Sequence, residues 1–213
     1  MPNEGVKVAV ITANLGGFEK SIKQPEQSVA CDFFHFTDKN FPPRFKAMTP
    51  RLQARIPKMF GWQMVPGYDY YIWVDSSCAF TGPDSVQWFL DQCRGVDIAV
   101  FKHNRRGTVQ EEADYLKHRL AINCPYVTPR YENELIDEQL AEVDPQARLF
   151  ASTAFTYKDS PRGRRAMKEW WYFVSRYHSI DQLGLPYAIR NLQVNVIEED
   201  YLKCKYLEYV RNK

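Results

Sequence analysis

The sequence predicts an α/β protein with a mostly parallel central sheet flanked by helices. Three observations carry this. Short apolar runs rich in β-branched and aromatic residues recur along the chain. Segments with helix-start signals separate them, and short polar groups stand just past the runs. Strand and helix in alternation is the pattern of a sheet joined by crossovers.

The elements follow in order. Val6–Thr12 reads as a buried strand running into the loop Ala13-Asn14-Leu15-Gly16-Gly17. Cys31–Phe36 is a second strand, closed by Thr37-Asp38. Thr49 caps a helix with Pro50 in its first turn, and Pro57 is expected to kink or end it. Pro66-Gly67 turns the chain into a third strand, Tyr68–Val74. A helix from Gly82-Pro83 to about Cys93 precedes a fourth strand, Val96–Phe101. Thr108 and Glu111 form a capping box, and a polar helix spans Glu132–Val143. Leu149–Tyr157 is a fifth strand, and Ser160-Pro161 opens a long helix holding Trp170 and Trp171. Ser179 and Gln182 form a second capping box for a short helix, Val194–Ile197 is a last strand, and the final residues read as a helix. No repeat or linker interrupts residues 1–213, so a single domain is expected, excised or not from a longer chain.

Composition narrows the function. The chain has 213 residues, enough for a substantial core. A net charge of +2 gives no basis for nucleic-acid binding. The five cysteines are scattered without zinc spacing, which points to reduced thiols and a cytoplasmic protein. No apolar run approaches the ~20 residues of a membrane span. Aromatics at 15% serve packing and also suit stacking on bases and sugar rings.

Ligands of open α/β sheets bind beyond the carboxyl ends of the strands. The residues there are Thr12 and Asn14, then Thr37 and Asp38, then Asp75, Ser76 and Ser77, then Lys102 and His103. Asp75 leaves an aromatic strand into two serines, a place that suits a hard cation shared with substrate phosphates. A plain turn cap accounts for Asp75 equally well. Arg51, Arg55 and Lys58 share one helical face, which reads as a diphosphate clamp or a solvated basic face. Asp181 stands at the expected helix start, beside Gln182, as a candidate for catalysis.

At Tyr70-Tyr71-Ile72-Trp73-Val74-Asp75-Ser76-Ser77 the sequence resembles the GT-A glycosyltransferases, whose strand ends in an Asp-x-Asp metal motif. More closely it resembles the glycosyltransferase-like family of plant mucilage-related and bacterial proteins. The matching features are Trp73-Val74-Asp75, Lys102-His103 followed by Glu111 and Glu112, and Asp181-Gln182. It is also similar to glycosyltransferase domains of large algal viruses, which would place it in a host cytoplasm.

The resemblance implies a GT-A, Rossmann-like sandwich. It implies a nucleotide-sugar donor such as a UDP-sugar, a glycan acceptor, and Mn²⁺ or Mg²⁺. Thr12, Asn14, Thr37 and Asp38 would border the nucleoside. Arg51, Lys58, Ser76, Lys102 and His103 would meet the rest of the donor. Asp75 and Ser77 would hold the metal, and Asp181 and Gln182 would serve catalysis, with retention of configuration expected. Ser77 departs from the motif by replacing its second Asp, so Asp181, His103 or His178 is expected to complete the shell. The alternatives are a non-catalytic nucleotide-sugar or glycan-binding module, and a sugar nucleotidyltransferase, whose Gly-rich Thr-Arg signature is missing after Gly16-Gly17.

Overall fold

A computed structural model describes residues 5–17, 24–42, 44, 48–121, 133–177 and 180–210. In chain order the elements are β1 (Val8–Asn14), β2 (Asp32–Thr37), α1 (Pro50–Gln53), α2 (Arg55–Met64), β3 (Tyr70–Val74), β4 (Cys78–Phe80), α3 (Ser85–Gln92) and β5 (Ile98–Lys102). They continue with α4 (Val109–Ala121), α5 (Asn133–Glu142), β6 (Phe150–Lys158), α6 (Pro161–Arg176), α7 (Leu185–Ile189), β7 (Val194–Ile197) and β8 (Leu207–Tyr209).

Six strands form the central sheet in the order β2-β1-β3-β6-β5-β7. All run parallel except β6, which is antiparallel to both neighbours. The expected α/β architecture is therefore present. Alternation along β1 shows how the two faces are filled. Val8 and Val10 pack with Val86, Phe89 and Leu90 of α3. Ala9, Ile11 and Ala13 pack with Met59 of α2 and Met167 and Trp170 of α6. Successive side chains of a strand point to opposite faces, so an unbroken apolar run signals burial on both. A third cluster ties α4 and α5 to the end of α6 through Val109, Leu116, Ile136 and Phe173.

Several boundaries shift by one to three residues. The larger differences have local causes. Pro57 does not end its helix. The chain breaks earlier, between α1 and α2 at Ala54, and Pro57 falls in the first turn of α2, where an N–H would have no intrahelical acceptor anyway. The kink comes at Phe60, whose φ/ψ of −115° and 23° is not helical. Among the described residues no helix starts near Ser179. Ser179 lies outside the described residues, Asp181 precedes a turn that begins at Gln182, and α7 begins at Leu185 with Gly184 as its N-cap. The expected C-terminal helix is also absent among the described residues. Residues 198–210 form turns and the strand β8, which pairs antiparallel with β4, Cys78 opposite Tyr209. Buried Cys204 and Leu207 hold that segment against the core, and a helix could not keep the pairing.

Gly184 marks a tight contact between α7 and α6. A β-carbon there would lie 2.7 Å from Cβ and 3.0 Å from Cγ of Phe173. Those atoms are anchored to the backbone and cannot swing away. Gly184→Ala is expected to destabilise the fold by about 1–3 kcal/mol through overpacking, read as a lower urea midpoint with an unchanged slope.

Candidate active site

The parallel strands deliver their carboxyl ends to one edge of the sheet, and the reversed β6 brings its start to the same edge. Asp75 directly follows β3, and its N–H donates to the Thr153 carbonyl of β6 at 2.8 Å. The strand period puts Trp73 and Asp75 on one face. The Trp73 indole N–H accordingly donates to Asp75 Oδ1 at 2.7 Å. The Asp75 side chain is 29% exposed, so this carboxylate is oriented from below and open above.

Asp181 lies beneath, at 1% exposure. The Ser152 hydroxyl donates to its Oδ1 at 2.8 Å. Its Oδ2 meets the Lys58 ammonium at 2.6 Å and Arg55 Nε at 3.3 Å. Its carbonyl accepts the Trp170 indole N–H at 2.7 Å. Burial alone would raise the Asp181 pKa. Arg55 and Lys58, with the hydrogen bonds from Lys58 and Ser152, outweigh burial and hold it well below the usual carboxylate range.

Lys58 links the two carboxylates. Its ammonium also lies 3.5 Å from Asp75 Oδ1 and faces the rings of Trp73 and Trp170 at 5.4 and 5.6 Å. Lys58 was expected on an open basic face as a phosphate clamp. Its side chain is instead 0% exposed. The turn of helix that carries it packs onto the sheet, and among the described residues its polar partners are the two carboxylates. Arg55, 14% exposed, is the cation of that helix nearer the surface. Arg51 stays half-buried on α1.

The neighbouring loop is built on Leu149. The His103 N–H donates to the Leu149 carbonyl at 3.2 Å, and the Leu149 N–H donates to the Gly107 carbonyl at 2.8 Å. Arg106 pairs with the buried Glu112 and lies 4.0 Å over the Tyr115 ring. Burial lifts the Glu112 pKa above its ordinary value against the pull of Arg106, and the nearby Asp181 adds to the rise. Glu111 forms one half of the expected capping box, its N–H donating to Thr108 Oγ1 at 3.2 Å, while its carboxylate accepts the N–H of Gly107, one residue before the cap, at 2.6 Å. Lys102 lies 3.9 Å from Glu198, which also takes Arg148.

At the β1–β2 side the Thr12 hydroxyl and His35 Nε2 are buried without hydrogen-bond partners among the described residues. The two are register neighbours on adjacent strands. Asn14 ends β1 and Thr37 ends β2. Asp38 takes the Gly16 N–H at 2.9 and 3.1 Å, which ties the loops after β1 and β2 together. Ser76 and Ser77 are half-buried, and the Ser77 carbonyl accepts the Val210 N–H at 2.8 Å. Gln182 is half-buried beside Asp181.

Asp75, Lys58 and Asp181 thus come together, with Lys102 and His103 two strands away on the same edge. Among the described residues no three His, Cys, Asp or Glu side chains gather as a metal cage. His178 lies outside those residues, as does Cys124. Asp181 is engaged by protein cations. Asp75 Oδ2 remains, with Ser77 two residues further along the chain. One carboxylate fits Mg²⁺ or Mn²⁺ only if substrate phosphates and water supply most of the shell. Sequence reasoning missed Ser152 and His35, which become relevant only through strand pairing. The Trp73 contact was legible in the two-residue spacing to Asp75.

The model of the TOD1/MUCI70 glycosyltransferase-like domain matches residues 44–212. The chain belongs to this family. That match contains every residue of the Asp75–Lys58–Asp181 cluster. Among solved structures the chain resembles the bifunctional glycosyltransferase WbbM in its apo form, with a TM-score of 0.51 and 11% identity. The likeness covers 92% of this chain and 40% of the WbbM chain, and at that identity it speaks for the fold alone. No curated protein matches the sequence. Among the described residues no helix is long and apolar enough to cross a membrane.

Proposed function

We propose that this TOD1/MUCI70 family protein transfers a hexose or deoxyhexose from a UDP-sugar to a glycan acceptor, and that Asp75 would hold the Mn²⁺ or Mg²⁺ that assists it. The observation that carries the reading is Asp75 itself, a half-open carboxylate oriented by Trp73 at the carboxyl end of a parallel strand. Thr12 and His35 support a nucleoside beside it, because a base or ribose would satisfy their buried polar atoms.

When bound, the ion neutralises charge on the departing diphosphate. The chain's own residues do the rest. Trp73 fixes the carboxylate. Lys58 and Arg55 place positive charge beneath the site, and Asp181 holds both cations in register. Such preorganised charge costs no rearrangement at the moment of reaction. Asp181 has both oxygens occupied and a depressed pKa, so it serves as a positioning residue rather than as nucleophile or base. With no separate nucleophile assigned, the acceptor hydroxyl attacks the anomeric carbon on the face the diphosphate leaves. The C–O bond to phosphate breaks, the new glycosidic C–O bond forms, and the hydroxyl proton passes to the departing phosphate oxygen. Configuration is retained.

Titration calorimetry with UDP and a panel of UDP-hexoses, with and without Mn²⁺, tests this. Metal-dependent binding of a UDP-hexose is the expected result. Failure of every nucleotide to bind in either condition would remove the proposal. Turnover in the presence of an acceptor separates the enzyme from a binding module, and NMR of the product anomer reads the stereochemistry.

A further inference from the structure

The loop 103–107 after β5 is rigid in a way that phosphate binding does not require. Leu149 ties both of its ends. Inside it, the backbone N–H groups of Arg105 and Arg106 both donate to His103 Nδ1, at 3.3 and 3.0 Å. A ring nitrogen that accepts two N–H groups cannot carry a proton of its own. The imidazole is therefore neutral, with its one N–H on Nε2. Burial, helped by the charges of Arg106 and Arg105, acts in the same direction and lowers the His103 pKa to about 4. Among the described residues Nε2 has no hydrogen-bond partner, and it is not sealed from solvent.

Position then suggests a ligand. β5 is separated from β3 only by β6. Strands lie about 4.8 Å apart, so His103 stands about 10 Å across the edge from Asp75. A diphosphate held at Asp75 would leave that gap to the sugar it carries. A neutral donor matches a neutral hydroxyl, whereas the cationic side chains of the region suit phosphate.

Resting on the donor site proposed above, we propose that the His103 Nε2–H donates to a ring hydroxyl of the transferred sugar and so helps select it. The contact adds affinity for the sugar and none for the nucleoside diphosphate.

His103→Asn separates the two duties of the ring. An asparagine oxygen can take the two loop N–H groups, a bonding pattern Asn favours in turns, while its shorter amide leaves no N–H at the position of Nε2. His103→Gln reaches as far as Nε2 and restores a neutral donor. Calorimetry with Mn²⁺ is run on both variants with UDP, UDP-glucose and UDP-galactose. The expected result is unchanged UDP affinity in both variants. The UDP-hexose bound best by the wild type should lose about 3- to 10-fold in His103→Asn, the worth of one uncharged hydrogen bond, and regain part of it in His103→Gln. Equal losses for UDP and the UDP-hexose would make the contact one to phosphate and overturn the inference. Unchanged affinities throughout would overturn it too. If the wild type binds neither UDP nor a UDP-hexose, the donor site itself fails and the inference with it. Imidazole ¹⁵N spectra give an independent readout: Nδ1 should stay unprotonated from pH 8 down to 5, and protonation within that range would refute the assigned tautomer.

Discussion

Lys58→Ala is expected to lower stability by about 3–5 kcal/mol, the usual result of stripping one partner from a buried ion pair. The ammonium is fully buried, 2.6 Å from Asp181 Oδ2, under two tryptophan rings. Without it the carboxylate keeps Arg55, at 3.3 Å, and the Ser152 hydroxyl. Urea unfolding at pH 7 measures the loss. The double variant Lys58→Met, Asp181→Leu should recover most of it, since replacing both members with apolar groups of similar volume is often neutral. That recovery would show that the pair serves the site rather than the fold. The pH dependence has a definite sign. In the wild type the folded pKa of Asp181 lies below its unfolded value of about 3.9. Its contribution is therefore present above that value and lost as pH falls through the folded pKa. In Lys58→Ala burial weighs more heavily and the folded pKa rises. Once that value passes the unfolded one, the deficit against wild type shrinks as pH is lowered from 7 towards 4. A deficit that is constant with pH would mean that Lys58 stabilises by packing alone.

Asp75→Asn should reduce turnover of the donor by at least about 100-fold while leaving the urea midpoint nearly unchanged, because a metal ion at a leaving diphosphate supplies several kcal/mol of transition-state stabilisation. The amide has the size of the carboxylate, and its oxygen can still accept the Trp73 N–H. What it loses is charge. In calorimetry the variant should bind UDP with the same affinity in Mn²⁺ as without it. Full turnover in Asp75→Asn would leave this residue as the cap of the Asp75–Cys78 turn, in which the Cys78 N–H donates to the Asp75 carbonyl at 2.9 Å.

The sheet was legible in the sequence because its inner strands are buried on both faces and read as apolar runs, Tyr70–Val74 and residues 98–101 among them. Ser160, whose side chain accepts the Gly163 N–H at 3.0 Å, announced its helix by local chemistry. Asp75 was legible for the same reason, as a carboxylate at the end of an apolar strand. Lys58 was misplaced because helical spacing says which side chains share a face, and not which face meets the sheet. Ser152 carries no local signal: its role appears only when a reversed strand sets it beside Asp181. The β4–β8 pairing was missed because three-residue strands have too little length for a period to show.

The reversed strand also has a consequence for how the chain reaches its native state. β3 can complete its pairing only with β6, Tyr70 opposite Lys158, across a long stretch of intervening sequence, and Asp181 lies further along the chain still. Contacts of such high sequence separation must offset their loop-closure entropy before they stabilise anything, which slows folding. The half made by β1, β2 and β3 can gather from nearer parts of the chain. The edge that holds Asp75, Ser152 and Asp181 is therefore expected to form late, and a nascent chain that has not yet emerged past Asp181 lacks the Asp75–Lys58–Asp181 cluster, however much of its sheet has formed.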